Sequence, residues 1–322
     1  MALLENLISI VVPCFNEEKT ITFFYQAMKK IEKKLTPYEF EFIFINDGSK
    51  DTTLDIIKAL AAIDPDLIKY LSFSRNFGKE AAMYAGLAEA RGQYVTVMDV
   101  DLQDPPELLL EMVAVLEEGI YDCVGARRVN RKDEPALRSF FARQFYKIIN
   151  RISDTEIIDG VRDYRLMTRQ MVDAILSLTE YNRFSKGIFS WVGFNTKYLE
   201  FENRERIAGE TSWSFFGLLK YSLEGIISFS VFPLAIASFI GIFTFLLSLI
   251  FLVLIVGRAL LYGDPVSGWP SLISVILLLG GIQLFCIGII GQYLGRVFTE
   301  VKKRPLYITK ETNISKKAKR KR

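Results

Sequence analysis

Between Gly225 and Gly257 the chain carries no charged residue, and after Arg258 and Asp264 a second uncharged run extends from Pro265 to Gly295. Each is longer than the roughly 20 apolar residues needed to cross a bilayer, which favours two membrane spans over two buried core helices. The connector Leu260–Pro270 contains no Lys or Arg, whereas Arg296, Lys302, Lys303 and Arg304 follow the second run and 316–322 is almost wholly basic. Lys and Arg collect on the cytoplasmic side of membrane proteins, so the expectation is a cell-membrane hairpin with both termini in the cytoplasm. The chain then divides into a cytoplasmic domain over 1–212, an interfacial amphipathic helix over 213–229, spans at 230–258 and 270–295 joined by an outer loop at 259–269, and a basic tail at 296–322. Trp213, Phe215, Phe216 and Tyr221 suit a headgroup belt directly before the first span, although an ordinary packing helix has the same pattern. Gly280, Gly281, Gly288, Gly291 and Gly295 permit close helix packing, within the hairpin or between copies in a homo-oligomer.

What the composition excludes is as useful. There is no histidine, and the three cysteines, Cys14, Cys123 and Cys286, show neither metal-ligand nor disulfide spacing. Histidine bases, His-containing triads and His-ligated zinc are ruled out, and chemistry must run on carboxylates, cations and metal. A reducing compartment is implied. Leu7–Val12 is too short for a signal core and runs into Pro13, so the first 220 or so residues are expected in the cytosol. The formal net charge of +3 is modest, and a basic tail behind a span suits anionic lipid headgroups better than nucleic acid.

Apolar runs alternate with helix-like segments before the first span, which predicts βαβ units and a mainly parallel sheet. Strands are expected at Ile8–Pro13, Phe40–Asn46, Ile68–Phe73, Tyr94–Met98 and Asp122–Gly125, with helices at Glu17–Leu35, Asp51–Ile63, Lys79–Ala90 and Pro106–Glu118. Open sheets of this kind bind ligands beyond the C-terminal strand ends. There the polar motifs gather: Asn16-Glu17-Glu18, Asn46-Asp47-Gly48-Ser49, Arg75-Asn76-Phe77-Gly78-Lys79 and Asp99-Val100-Asp101-Leu102-Gln103-Asp104. The last crowds carboxylates that repel one another unless a cation lies between them, and hard oxygen ligands suit Mg²⁺ or Mn²⁺. An acidic turn before a helix opened by Pro105 and Pro106 is the plainer reading. Asn46–Ser49 is equally explained as a turn with a cap, and Arg75 and Lys79 as solvated cations. Their joint placement favours a nucleotide site, with Asp47 available to a base or ribose and Lys79 to a phosphate.

Taken in order, Val-Val-Pro-Cys-Phe-Asn-Glu-Glu, Asn-Asp-Gly-Ser-Lys-Asp, Arg-Asn-Phe-Gly-Lys and Asp-Val-Asp-Leu-Gln-Asp-Pro-Pro resemble family 2 glycosyltransferases of the GT-A fold. With two C-terminal spans, the chain is similar to bacterial polyprenyl-phosphate glucosyltransferases of the GtrB type, relatives of dolichyl-phosphate mannose synthase. The absence of a Gln-x-x-Arg-Trp signature argues against a long processive product. The resemblance implies a Rossmann-like GT-A domain in which Pro13, Asn16, Glu17 and Asp47 line the nucleotide pocket, and Asp99, Asp101 and Gln103 carry the metal and diphosphate. It implies Arg127 and one of Arg138 or Arg143 at the acceptor phosphate. Asp163 and Arg165, in Asp159-Gly160-Val161-Arg162-Asp163-Tyr164-Arg165-Leu166, are expected near the sugar or acceptor, with a structural cap the alternative for Asp163. A loop around Arg204 and Arg206 is expected to close over the donor. The implied reaction is inverting transfer of one hexose, glucose from UDP-glucose first, to undecaprenyl phosphate, with catalysis on Asp101, Asp163 and Arg127. GDP-mannose-dependent mannose transfer and a non-catalytic membrane scaffold are the alternatives.

Overall fold

The computed structural model describes residues 4–129, 150–151, 158, 160–202, 227, 230–262 and 268–314. Four strands begin the chain, β1 (Leu4–Cys14), β2 (Glu39–Asn46), β3 (Ile68–Phe73) and β4 (Gly92–Val97). Between them run α1 (Ile21–Glu32), α2 (Thr53–Ile63) and α3 (Lys79–Glu89). The apolar runs read from the sequence are these strands, and they are parallel: β1 pairs with β2 and β4, and β2 with β3. Strand β2 alone shows why no alternation is visible, because everything after Glu39 is buried on both faces.

After α4 (Leu108–Glu117) the direction changes. Strand β5 (Cys123–Arg128) is followed by β6 (Val161–Thr168), α5 (Arg169–Ser177), α6 (Ser185–Trp191) and β7 (Thr196–Phe201). Strand β6 runs antiparallel to both β4 and β5, while β7 is parallel to β5. The sequence pattern did not mark β6 as a strand, because Arg162, Asp163 and Arg165 interrupt its apolar positions. One core packs α1, α2 and α4 on one face of the sheet, through Phe24, Met28, Ile57 and Met112 against Phe40, Phe42 and Phe44. The other packs α3, α5 and α6 through Ala82, Met171 and Ile188 against Val11, Ile43 and Val97. Gly86 of α3 lets that helix close on β1: a Cβ there would lie 2.2 Å from a methyl carbon of Val11.

Two long helices follow, α7 (Phe232–Tyr262) and α8 (Trp269–Val301). Each is long and apolar enough to cross a membrane, over Phe232–Phe251 and Leu278–Val301, and almost none of either window is buried in the protein. Phe239, Phe243, Leu284 and Leu294 are among the large apolar side chains left exposed, which a soluble core helix would have covered. Helix α8 continues to Val301, and β8 (Thr309–Thr312) returns to pair antiparallel with β3, completing the order β7-β5-β6-β4-β1-β2-β3-β8. Tyr307 stacks on Phe73 with ring centroids 4.8 Å apart, and the Asn313 side chain bonds the backbone of Tyr70 and Ile68 at 2.8 and 2.9 Å. The expected interfacial helix at 213–229, apart from Ile227, and residues 263–267 of the expected outer loop lie outside the described residues.

Candidate active site

The topology sends every expected motif to one edge. Strands β1 to β4 are parallel, so the loops after Cys14, Asn46, Phe73 and Val97 leave from the same end. Because Val97 pairs with Arg165, the antiparallel β6 extends Arg162 and Asp163 past the end of β4, beside the acidic loop. Arg127, at the end of β5, pairs with Val161 at the same edge.

The first two loops are knitted together. Asn16, in a left-handed conformation (φ 57°), donates its backbone N–H to Ser49 Oγ at 3.0 Å and accepts the Lys50 N–H on Oδ1 at 2.9 Å. The Glu17 N–H donates to Thr53 Oγ1 at 2.8 Å, and its carboxylate accepts the Thr20 hydroxyl at 2.7 Å. Pro13 is partly buried on β1 just before these loops. Asp47, only 4% exposed, accepts the Phe77 N–H on Oδ1 at 2.6 Å and the Gly78 N–H on Oδ2 at 2.9 Å. Burial pushes its carboxyl up, against the two N–H donors and the charge of Arg75. Gly48 (φ 68°) makes this approach feasible, since a Cβ there would lie 2.5 Å from the carbonyl carbon of Arg75. Asp47 therefore holds the 75–78 turn, a use that its expected availability to a nucleotide did not include.

The acidic loop meets α3 and β6 through Lys79. Its ammonium lies 2.7 Å from Asp99 Oδ1 and 2.6 Å from Asp163 Oδ2. Burial works against the Lys79 charge, but Asp163 and Asp99 outweigh it and raise its pKa well above the usual value. Burial likewise opposes the Asp163 charge, and Lys79 foremost among its neighbours reverses that, holding the carboxyl well below the ordinary range. Asp163 caps no helix: it lies within β6, and Thr168 is the N-cap of α5. Asp101 accepts the Gln103 N–H at 3.1 Å across Leu102, which adopts φ 56°. Asp104 is buried, accepts Arg162 Nε at 2.9 Å, and is pushed up to about 6 by burial against the pull of Arg162.

A metal ion is tested by the donors present. Among the described residues no group of three or more His, Cys, Asp or Glu side chains is arranged to hold one. Asp99 and Asp101 offer two carboxylates at the end of β4, with Gln103 beside them, and Asp99 already accepts a cation from Lys79. That oxygen-only set fits Mg²⁺ or Mn²⁺ bound in the way that uses one or two carboxylates and completes the shell with substrate phosphate and water.

The arginines separate. Arg127 is half-exposed and reaches Glu200 at 3.3 Å. Arg165, expected at the acceptor phosphate, is 2% exposed, with its guanidinium 3.6 Å from the Phe189 ring centroid and bonded to the Arg162 carbonyl at 3.0 Å. It packs inside the α3–α6 face of the sheet and is not presented at the open edge. Arg138, Arg143 and Arg206 lie outside the described residues.

Residues 9–176, from β1 to α5, match the profile described as glycosyl transferase family 2. The chain belongs to that family. The SfII prophage-derived bactoprenol glucosyl transferase of Shigella flexneri is 46% identical over 306 residues, 95% of this chain and 98% of its own. A prophage bactoprenol glucosyl transferase homolog of Escherichia coli (strain K12) is 46% identical over 303 residues, covering 94% and 98%. CsbB of Bacillus subtilis (strain 168), which bears the name of a glycosyltransferase, is 47% identical over 313 residues, covering 97% and 94%.

For this family 2 transferase the sequence located the edge but not its pairings. Lys79 and Asp163 are 84 positions apart, and nothing local to either announces the other. Arg162 with Asp104, and Glu80 with Ser185, were not foreseen as pairs. The available signal was charged residues standing among apolar neighbours, since a charge tolerated in a sheet interior requires a partner.

Proposed function

We propose that the chain transfers one glucose from UDP-glucose to a polyprenyl phosphate, undecaprenyl phosphate, at the cytoplasmic face of the cell membrane, with inversion at the anomeric carbon. The observation that carries the reading is the convergence of Lys79, Asp99 and Asp163 at the strand-end edge, on a chain whose last two long helices are apolar and uncovered. Family membership supports glycosyl transfer, and the names of its 46% identical relatives support bactoprenol as acceptor and glucose as sugar. The product would supply lipid-linked sugar for glycosylation of a surface polymer.

In this reading an oxygen of the acceptor phosphate attacks the anomeric carbon, and the bond to the nucleoside diphosphate breaks. A phosphate monoester has a second pKa of about 6, so the acceptor is largely dianionic near neutrality and needs no strong base. That suits a chain without histidine and an Asp163 kept ionised by Lys79. The task is to hold two anions together in line. Asn16, Glu17 and Asp47 shape the nucleotide pocket, and Lys79 stands beside the diphosphate. Arg127 with one of Arg138 or Arg143 is assigned to the acceptor phosphate, and Arg206 to the donor. Asp99, Asp101 and Gln103 would hold Mg²⁺ or Mn²⁺, whose chemistry there would be to neutralise charge on the leaving diphosphate.

Detergent-solubilised protein given labelled UDP-glucose, undecaprenyl phosphate and Mg²⁺ or Mn²⁺ should move label into the organic phase. EDTA, or Asp101→Ala in a folded protein, should reduce that transfer by at least about a hundredfold. Label entering lipid from GDP-mannose alone, or from no donor, would reject the glucose assignment. Full activity of the Asp101 variant would reject the metal assignment.

A further inference from the structure

A cavity of about 450 Å³ lies where the C-terminal turns of α8 meet the catalytic domain, and Arg75, Arg183 and Arg296 line it from three separate parts of the chain. Asp99, Asp101, Asp163 and Arg127 are not among its lining residues, so neither the donor diphosphate nor the acceptor phosphate of the proposed reaction belongs in it. The junction is fastened by hydrogen bonds: the Tyr181 N–H donates to the Glu300 carboxylate at 2.9 Å, and the Asn182 amide to the Thr299 hydroxyl at 3.0 Å.

Two of the cations are held by the domain. Arg75 lies 4.0 Å from the Phe77 ring centroid and donates one N–H to the Asn76 carbonyl. Arg183 lies 4.7 Å from the Tyr84 ring centroid and donates to the carbonyls of Leu178 and Ile175. A guanidinium has five N–H donors, so these bonds leave both with capacity for an anion. Glu80 is the carboxyl in the lining, and it turns toward Ser185, whose N–H it accepts at 3.1 Å and whose hydroxyl it also accepts. Glu180 and Glu300, next in the chain to Tyr181 and Thr299, do not line the cavity. Among the described residues three guanidiniums therefore face one carboxyl, and the lining is net positive even with Glu80 ionised. On the helix side Gly291 and Gly295 leave room for an occupant, since a Cβ at either would meet nothing within 4 Å.

We propose that this cavity is a binding site for the headgroup phosphate of an anionic phospholipid, a ligand that takes no part in the reaction. Guanidinium forks suit phosphate oxygens, and basic pockets beside membrane helices hold such headgroups. Depth and face select a lipid over free phosphate. The cavity sits on α8 where the uncharged run 265–295 gives way to Arg296, Lys302, Lys303 and Arg304, the level at which a spanning helix leaves the hydrocarbon. Ile287 and Leu284 stand four and seven positions before Gly291, on the same face of the helix and deeper in the bilayer, and are 62% and 72% exposed. That face gives acyl chains a place that free phosphate does not need. Because the lining joins α8 to the turn that carries Arg75 and Phe77, a headgroup bound there bridges the membrane helix and the catalytic domain. The inference rests on α8 crossing the bilayer and is independent of the sugar, the donor and the acceptor. It is also distinct from the lipid contact expected of the basic tail.

The test uses the full chain in detergent, with no donor or acceptor present, and reads bound lipid by native mass spectrometry. Phosphatidylglycerol is the probe and zwitterionic phosphatidylcholine its counterpart. Arg296→Gln removes one cation, and Gly295→Leu fills the cavity from a position with space for a side chain. The controls are Gly241→Leu, another open helical position, and a tail variant in which Lys316, Lys317, Lys319, Arg320, Lys321 and Arg322 are all changed to Gln. Wild type should prefer phosphatidylglycerol. Arg296→Gln should weaken its binding about fivefold, the worth of one basic residue at an anionic headgroup, and Gly295→Leu at least as much, while both controls stay near wild type. Unchanged binding in both cavity variants overturns the proposal, as does phosphatidylcholine bound as tightly as phosphatidylglycerol. A loss confined to the tail variant overturns it too, by placing the lipid on the tail. Displacement of phosphatidylglycerol by equimolar inorganic phosphate would make the cavity a general anion site, and displacement by equimolar undecaprenyl phosphate would make it the acceptor's; either result rejects the assignment.

Discussion

Asp47→Asn is the substitution that most directly tests how the nucleotide pocket is built. The change preserves size and shape, and Asp47 is 4% exposed, so solvent cannot replace what is lost. In the wild type each carboxylate oxygen accepts one backbone N–H, from Phe77 at 2.6 Å and Gly78 at 2.9 Å. An amide has one acceptor oxygen, so one of these donors must face an NH₂ group. The loss is one hydrogen bond to a charged acceptor, about 1.5–3 kcal/mol, plus the penalty of about 1–3 kcal/mol for a buried N–H left unpaired, for a total of roughly 2.5–6 kcal/mol. For a domain of 150–250 residues each kcal/mol moves Tm by about 2–4 °C, which gives a fall of roughly 5–24 °C.

The assay is thermal unfolding followed by tryptophan fluorescence in detergent, with UDP titrated in parallel. UDP affinity should fall together with Tm, because the turn released by the substitution also carries Arg75 and leads to Lys79. A variant that melts within 2 °C of wild type would show that the carboxylate does not hold this turn. A variant that melts lower but binds UDP unchanged would show that the turn does not shape the nucleotide pocket.

Three further perturbations have defined outcomes. Lys79→Met leaves Asp99 and Asp163 without the ammonium that lies 2.6–2.7 Å from each; transfer of labelled glucose should fall at least about a hundredfold while circular dichroism stays native. Glu80 binds its proton more tightly in the fold, at about 7 against an ordinary 4.5, so its contribution is present below pH 4.5 and is lost as pH rises through 7; the loss is at most about 3 kcal/mol, and the Tm difference between pH 5 and pH 8 should shrink in Glu80→Gln. Tyr307→Ala removes the ring stacked 4.8 Å from Phe73 and should lower stability by about 2–3 kcal/mol, loosening β8 from the sheet edge in hydrogen exchange.

What could be read in the sequence followed from how locally each feature is encoded. Strands β1 to β4 announce themselves because a parallel strand covered on both faces is a continuous apolar run, and the loops after them were visible as the polar punctuation between runs. Strand β6 failed that test although it is central, since Arg162, Asp163 and Arg165 occupy positions where an apolar run would be expected. Their charges are tolerable because Asp104, Lys79 and the Phe189 ring, each distant in sequence, complete them in space. Arg165 was expected near the sugar or acceptor from the resemblance of its segment to a family motif, and its burial becomes visible only when the sheet closes over it. Strand β8 was hidden differently, inside a segment whose lysines and arginines suggested a basic tail against lipid headgroups. Only the antiparallel register with β3 reveals that the chain leaving the second long helix returns to the sheet, as the strand beyond β3. That return ties the chain leaving α8 to the sheet, so under the proposed reaction a lipid acceptor held at the membrane helices would meet the strand ends at a fixed position. A substitution that frees β8 should therefore raise the KM for the lipid acceptor more than the KM for UDP-glucose.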